Sequence, residues 1–129
     1  MDKIRIMIVD DMEEIRNYLC YTLKNEHNIE VVASASSGKE AYDIAVKKKP
    51  DVILMDIQME SDTSGIAAGK KILNVLPSTK LIALTMYVDS EKITDAYMVG
   101  FVHRKKLFNR RNHNRNSKRY LAQRTFKRC

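Results

Sequence analysis

The strongest constraint on the fold is a pair of short apolar segments that both end in carboxylates. Apart from Arg5, Ile4–Val9 and residues 52–55 are apolar, and they are rich in β-branched side chains, as buried parallel strands are. The first is followed by Asp10 and Asp11, and the second by Asp56. Because ligands of an open parallel sheet bind beyond the carboxyl ends of its strands, we expect these side chains to meet there. Three carboxylates would repel one another without a cation, so the pattern predicts a Mg²⁺ site beside an aspartate able to attack phosphorus.

The first hundred residues otherwise alternate between helical and strand patterns. Apolar residues at helical spacing predict a first helix over 15–23, and a capping box from Ser37 to Glu40 predicts the start of a second. A third helix should contain Ile72 and Leu73 and end before Pro77, and a fourth should run from Asp89 or Ser90 to Gly100. Further strands are predicted over 29–35, over 80–84 and from Phe101. This alternation predicts an α/β fold. We expect a doubly wound five-stranded parallel sheet, flavodoxin-like with strand order 2-1-3-4-5, and a fifth helix that is abnormal or missing.

Charge divides the 129 residues into two parts. All 16 acidic residues precede residue 100, whereas residues 103–129 hold 11 of the 23 lysines and arginines, so the net charge of +7 arises from the tail. No apolar run is long enough to span a bilayer, and the start is not that of a signal peptide. Cys20 and Cys129 have no metal-ligand spacing. These features favour a cytoplasmic protein without a membrane partner.

Residues 1–105 resemble a bacterial response-regulator receiver domain. The matching stretches are residues 8–11, residues 50–59 with their Pro-Asp-x-x-Leu-Met-Asp-x-x-Met pattern, and Leu84-Thr85. The resemblance implies that Asp56 is the phosphoryl acceptor. It implies that Asp11 and Asp56 ligate Mg²⁺, that Asp10 holds the ion through water, and that the backbone carbonyl of Gln58 adds a ligand.

The resemblance also implies a switch and its partners. Thr85 would bind a phosphoryl oxygen, and Lys105 would be the conserved cation, with Arg104 and Lys106 as rivals. A histidine kinase would be the donor, and the protein would be a phosphoacceptor rather than an enzyme. The output is expected to be transcription regulation through a helix-turn-helix domain, which these 129 residues do not contain. The face of the fourth helix, fifth strand and fifth helix would carry homodimer or partner contacts.

Several positions depart from the family pattern. Glu60 stands where the family has proline, and Gly65 comes one residue late, which leaves the shape of this loop open. Met86 replaces a small residue, so we expect it to narrow access to the acceptor. Tyr87 and Phe101 are alternative candidates for the switch aromatic.

Individual residues also have other readings. Asp10 alone could cap the first helix. An aspartyl-phosphate phosphatase on the same fold would need a further acid where Gln58 stands, so we rank that enzyme last.

Residues 106–129 resemble nothing in the family. Codons can be chosen for residues 106–117 that, read one nucleotide on, encode Ser-Ser-Ser-Thr-Glu-Glu-Ile-Ile-Thr-Ala-Ile-Gln, a plausible fifth helix with a capping residue and spaced isoleucines. We therefore hypothesise a frameshift at Lys105–Lys106, which would also explain the missing output domain. The alternative is a genuine, disordered or irregular basic tail that binds nucleic acid non-specifically, with Tyr120 and Phe126 stacking on single strands.

Overall fold

A computed structural model describes residues 2–57, 59, 64–84 and 90–101 of the chain. Strands and helices alternate in the order β1 (Ile4–Val9), α1 (Glu13–Lys24), β2 (Ile29–Ala35), α2 (Gly38–Lys48), β3 (Val52–Asp56), α3 (Ser64–Val75), β4 (Lys80–Leu84) and α4 (Ser90–Val99). The predicted elements of this part of the chain are all present. The fifth strand, predicted to begin at Phe101, and the tail from residue 106 lie outside the described residues or at their edge.

The described strands form one parallel sheet in the order β2-β1-β3-β4, which confirms the predicted flavodoxin-like arrangement. Val9 at the end of β1 is level with Met55, and Asp56 at the end of β3 is level with Leu84. Asp56 is therefore the last residue of its strand rather than the first residue of the loop. This register brings the carboxyl ends of β1, β3 and β4 to the same edge of the sheet.

The pairing of β1 with β2 contains one irregularity. Ile6 pairs with Val31, but Met7 pairs with Ala33, so Val32 is the extra residue of β2. A bulge of this kind shifts the alternation of side chains by one position. Val31 consequently packs with the cluster on one face of the sheet, whereas Ala33 packs with the cluster on the other face.

Two apolar clusters lie on opposite faces of the sheet. One joins alternate residues of β1 and β3 to α1, through Ile15, Leu19 and Leu23. The other joins the intervening strand residues to α2, α3 and α4. The strand order makes β1 and β3 the central strands, and their largely apolar sequences bury side chains in both clusters.

Local hydrogen bonds define the ends of two helices. Ser37 is the N-cap of α2, and its hydroxyl accepts a hydrogen bond of 3.1 Å from the Glu40 N–H. The Glu40 carboxylate accepts one of 2.8 Å from the N–H of Ser36, one residue before the cap. At the end of α4, Gly100 has φ +114°. The Gly100 N–H donates to the carbonyl oxygen of Tyr97, and the Phe101 N–H donates to the carbonyl oxygen of Ala96. This is the Schellman pattern, and it explains why a glycine ends the helix.

The edge of the sheet opposite the aspartates is held by a side chain of β1. The guanidinium of Arg5 donates to the carbonyl oxygens of Lys48 and Lys49, at 2.7 and 2.9 Å, where α2 ends. Its backbone N–H donates to the carboxylate of Asp51, at 2.9 Å. A guanidinium at a helix C-terminus satisfies carbonyl groups that have no partner within the helix. Arg5 thus ties the end of α2 to the start of β1.

Within the part of the chain that the structure describes, no helix combines the length and the apolar character needed to cross a bilayer.

Candidate functional site

Three aspartates meet at the carboxyl ends of β1 and β3. One carboxylate oxygen from each of Asp10, Asp11 and Asp56 lies within 4.8 Å of the other two. Asp10 and Asp56 are buried, whereas Asp11 is exposed. The fold therefore brings together three of the residues predicted from the sequence, although 45 positions separate Asp11 from Asp56.

The backbone and side chain of Asp10 are both fixed. Its N–H donates to the carbonyl oxygen of Ala35 at 3.1 Å, extending the pairing of β1 with β2. Its carboxylate accepts a hydrogen bond of 2.9 Å from the N–H of Met12. Met12 is the N-cap residue of α1 and makes no side-chain capping bond. The reading of Asp10 as the helix cap is therefore wrong, because the carboxylate instead shapes the turn that precedes the helix.

Arg16 reaches back from α1 to the same turn. Its Nη1 donates to the backbone carbonyl oxygen of Asp10 at 2.8 Å. The sequence did not single out this residue, since an arginine on an amphipathic helix normally indicates a solvated position. Helical spacing gave no signal for this contact, because Asp10 lies six positions before Arg16 and precedes the helix.

Gly65 packs against the backbone of the acceptor strand. A Cβ at this position would overlap the carbonyl oxygen of Asp56 and lie 2.9 Å from its carbonyl carbon. The Gly65 N–H also donates to the carbonyl oxygen of Ile57 at 3.2 Å. The glycine that comes one residue late in the sequence thus contacts the strand end directly. It allows the start of α3 to approach Asp56.

Phe101, one of the two candidates for the switch aromatic, lies in the core. Phe101 is only 3 % exposed, and its ring fills the space beside Gly69, where a Cβ would lie 2.6 Å from the ring. Phe101 is therefore a core residue in this structure. Gln58, Thr85, Met86, Tyr87 and the cationic candidates Arg104, Lys105 and Lys106 lie outside the described residues, and so does Glu60.

One ionisable group outside the aspartate cluster has a shifted pKa. Partial burial raises the pKa of the Cys20 thiol above its ordinary value of 9.0, because desolvation disfavours the thiolate. The positive charge of Arg16 partly offsets this rise. Cys20 is half-buried beside the cluster that α1 forms with the sheet, so its position indicates a packing role.

Acidic residues at this edge of a parallel sheet suit a hard cation. Carboxylate oxygens are the ligands that Mg²⁺ prefers, and two of them bound directly to one ion lie at most about 4.2 Å apart. The 4.8 Å limit on the three oxygens is close to that span, so small side-chain rotations or an intervening water would complete a site. The arrangement therefore fits a divalent cation held at the carboxyl ends of β1 and β3.

Comparison with known proteins identifies a family with the same pattern. The response regulator receiver domain family matches residues 6–107. The chain is 42 % identical over 97 residues to the transcriptional regulatory protein LiaR of Bacillus subtilis, a match that covers 75 % of this chain and 46 % of LiaR. It is 41 % identical over 88 residues to the oxygen regulatory protein NreC of Staphylococcus aureus, covering 68 % of this chain and 41 % of NreC. It therefore spans less than half the length of these curated relatives.

A solved structure gives the same result for the fold. The crystal structure of a LuxR-family two-component response regulator from an Aurantimonas species superposes with a TM-score of 0.71 at 27 % identity. The superposition covers 78 % of this chain and 71 % of that one.

Proposed function

Because the chain belongs to the response regulator receiver domain family, we propose that it accepts a phosphoryl group from a histidine kinase onto Asp56. One observation carries this proposal. The Asp56 carboxylate lies with those of Asp10 and Asp11 at one edge of the sheet, where a cation and a phosphoryl group could be bound together. The acceptor Asp56 is buried, whereas the neighbouring Asp11 is exposed to solvent.

The three carboxylates would hold Mg²⁺ between them. We assign direct contacts to Asp11 and Asp56, contact through water to Asp10, and a further contact to the backbone carbonyl of Gln58, which lies outside the described residues. When bound, the ion would neutralise charge on the phosphoryl oxygens while the phosphoryl group is transferred. Phosphoryl transfer depends mainly on such positioning and charge neutralisation, so few other protein groups are needed.

In the transfer step, a carboxylate oxygen of Asp56 forms a bond to phosphorus while the bond from phosphorus to its donor breaks. The chain is the acceptor in this reaction, so we propose a phosphoprotein switch rather than an enzyme acting on a separate substrate. Thr85 and Lys105 would bind the phosphoryl oxygens afterwards, with Arg104 and Lys106 as alternatives to Lys105. A new group of about two negative charges would reset contacts near α4.

Exposed side chains on α4 support a partner surface there. Tyr97 and Met98 are 60 % and 75 % exposed, although both are large and largely apolar. Residues of this kind are enriched in protein interfaces. We propose that this face contacts a partner, including a second copy of the chain. We also propose a cytoplasmic location and an output in transcription regulation, the latter supported by the name of the relative LiaR.

An intact mass spectrum before and after treatment with acetyl phosphate and Mg²⁺ tests the proposal. We expect one added phosphoryl group on the full chain, lost in an Asp56→Asn variant. Asp51→Asn is the matched control, because Asp51 is an exposed aspartate at the opposite edge of the sheet. Addition that persists in Asp56→Asn, or that disappears in Asp51→Asn alone, would contradict the assignment. The same spectrum of the untreated chain tests whether residues 106–129 have the sequence as written.

A further inference from the structure

Arg16 of α1 contacts the turn that carries Asp10 and Asp11. Arg16 is the fourth residue of the helix and is half-buried. Its Nη1 is 2.8 Å from the backbone carbonyl oxygen of Asp10. This carbonyl belongs to the peptide group that joins Asp10 to Asp11.

Holding that peptide group constrains both aspartates. A peptide unit is planar, so fixing its carbonyl direction limits the ψ angle of Asp10 and the φ angle of Asp11 together. Two other hydrogen bonds already fix the N–H and the carboxylate of Asp10. The N–H donates to the carbonyl oxygen of Ala35, and the carboxylate accepts from the N–H of Met12. The orientation of the exposed Asp11 also depends on the peptide group that joins it to Asp10, and Arg16 supplies the contact to that group.

We propose that Arg16 is a positioning residue for the metal site, which holds the Asp10–Asp11 peptide so that both carboxylates face Asp56. This inference rests on the proposed function, because it assumes that the three carboxylates bind a divalent cation. Groups that orient metal ligands without touching the metal commonly change affinity by about 10- to 100-fold when they are removed.

A competing role for Arg16 predicts the opposite result. If the guanidinium acted only as a nearby positive charge, its removal would relieve repulsion of the incoming cation and tighten metal binding. If it orients the turn, its removal weakens metal binding, because the carboxylates then have to be ordered when the ion binds. The sign of the change in Kd therefore separates the two roles.

The test measures Mn²⁺ binding to the full chain by electron paramagnetic resonance, with Mg²⁺ as the competitor. We expect Arg16→Gln to raise both dissociation constants roughly tenfold. Arg16→Lys retains a positive charge and N–H donors but lacks the planar guanidinium, so we expect an intermediate value. Arg5→Gln is the matched control, since Arg5 also donates to backbone carbonyls but at the other edge of the sheet, and we expect wild-type affinity.

Thermal unfolding without metal shows whether each variant folds, and if Arg16→Gln does not fold, Arg16→Lys decides the question. An unchanged or tighter Kd in the folded variant would overturn the positioning role, as would an equal loss in Arg5→Gln. Phosphorylation of the wild type by acetyl phosphate is measured separately. If the wild type binds Mn²⁺ but takes up no phosphoryl group, the proposed function fails while the comparison of dissociation constants still judges Arg16.

Discussion

Gly65 of α3 contacts the backbone of Asp56 so closely that no side chain fits between them. A Cβ would overlap the Asp56 carbonyl oxygen, and the neighbouring atoms belong to the main chain of Asp56 and Ile57 rather than to a side chain that could rotate away. The start of α3 and the end of β3 therefore hold a fixed relationship. The position of the acceptor depends on a glycine nine residues later in the chain.

Replacing this glycine should disturb the acceptor directly. We expect Gly65→Ala to lower the free energy of unfolding by about 2 kcal/mol, because the added methyl group overpacks a site bounded by backbone. The rate of phosphorylation by acetyl phosphate should also fall. Ala67→Ser is the control, since Ala67 is exposed on the same helix. Urea unfolding and mass spectrometry measure the two effects, and a stable, fully active Gly65→Ala variant would show that α3 can move away from β3.

Divalent cations should stabilise the folded chain. A ligand that binds only the native state adds about 2.7 kcal/mol when its concentration is 100 times its Kd. We therefore expect Mg²⁺ to raise the melting temperature of the wild type, and to have a much smaller effect on Asp11→Asn. Differential scanning fluorimetry with and without Mg²⁺ measures the difference. Equal stabilisation of the wild type and Asp11→Asn would place the ion elsewhere.

The opposite edge of the sheet should contribute stability without affecting the chemistry. Removing the guanidinium of Arg5 leaves the last carbonyl groups of α2 without these donors. We expect Arg5→Met to lower the free energy of unfolding by about 1–2 kcal/mol while leaving the phosphorylation rate unchanged. Lys3→Met removes an exposed cation nearby and serves as the control. A loss of phosphorylation in folded Arg5→Met protein would mean that the two edges are coupled.

The Cys20 thiol should titrate at a higher pH than an ordinary cysteine. Burial raises its pKa above 9.0 in the folded state. At a pH between the unfolded-state and folded-state pKa values, the folded chain therefore keeps a thiol proton that the unfolded chain has lost. Stability linked to Cys20 is then complete below pH 9.0 and declines as the pH rises through the folded-state pKa. In a Cys129→Ser background, we expect iodoacetamide to alkylate Cys20 slowly at pH 8 and faster in urea. Cys20→Ala in the same background isolates the change in stability from the titration of tyrosine and lysine.

Much of the fold follows from local signals in the sequence. The bounds predicted for β2 and β4 agree with the structure, because both strands lie between residues that favour turns or helix starts. The Ser37–Glu40 pattern predicts the start of α2, and Gly100 predicts the end of α4, since each acts through hydrogen bonds to near neighbours. The meeting of Asp10, Asp11 and Asp56 follows once the strand order is inferred from the alternation of elements.

Contacts between distant segments could not be predicted in this way. Arg5 is a single cation within the apolar run of β1, and nothing local indicates that it reaches the end of α2. Arg16 has the same ambiguity on α1. The approach of Gly65 to Asp56 depends on how a helix packs against a strand, and its displaced position in the sequence pattern only marked the loop as unusual.

The extra residue at Val32 in β2 has a consequence for comparing this chain with its relatives. Odd-numbered residues before Val32 face one side of the sheet, and odd-numbered residues after it face the other side. The strand therefore behaves as two halves with different constraints on side-chain size. A relative with one residue fewer in this strand should be aligned with its gap at Val32. A gap placed anywhere else would pair residues that evolved in contact with different helices.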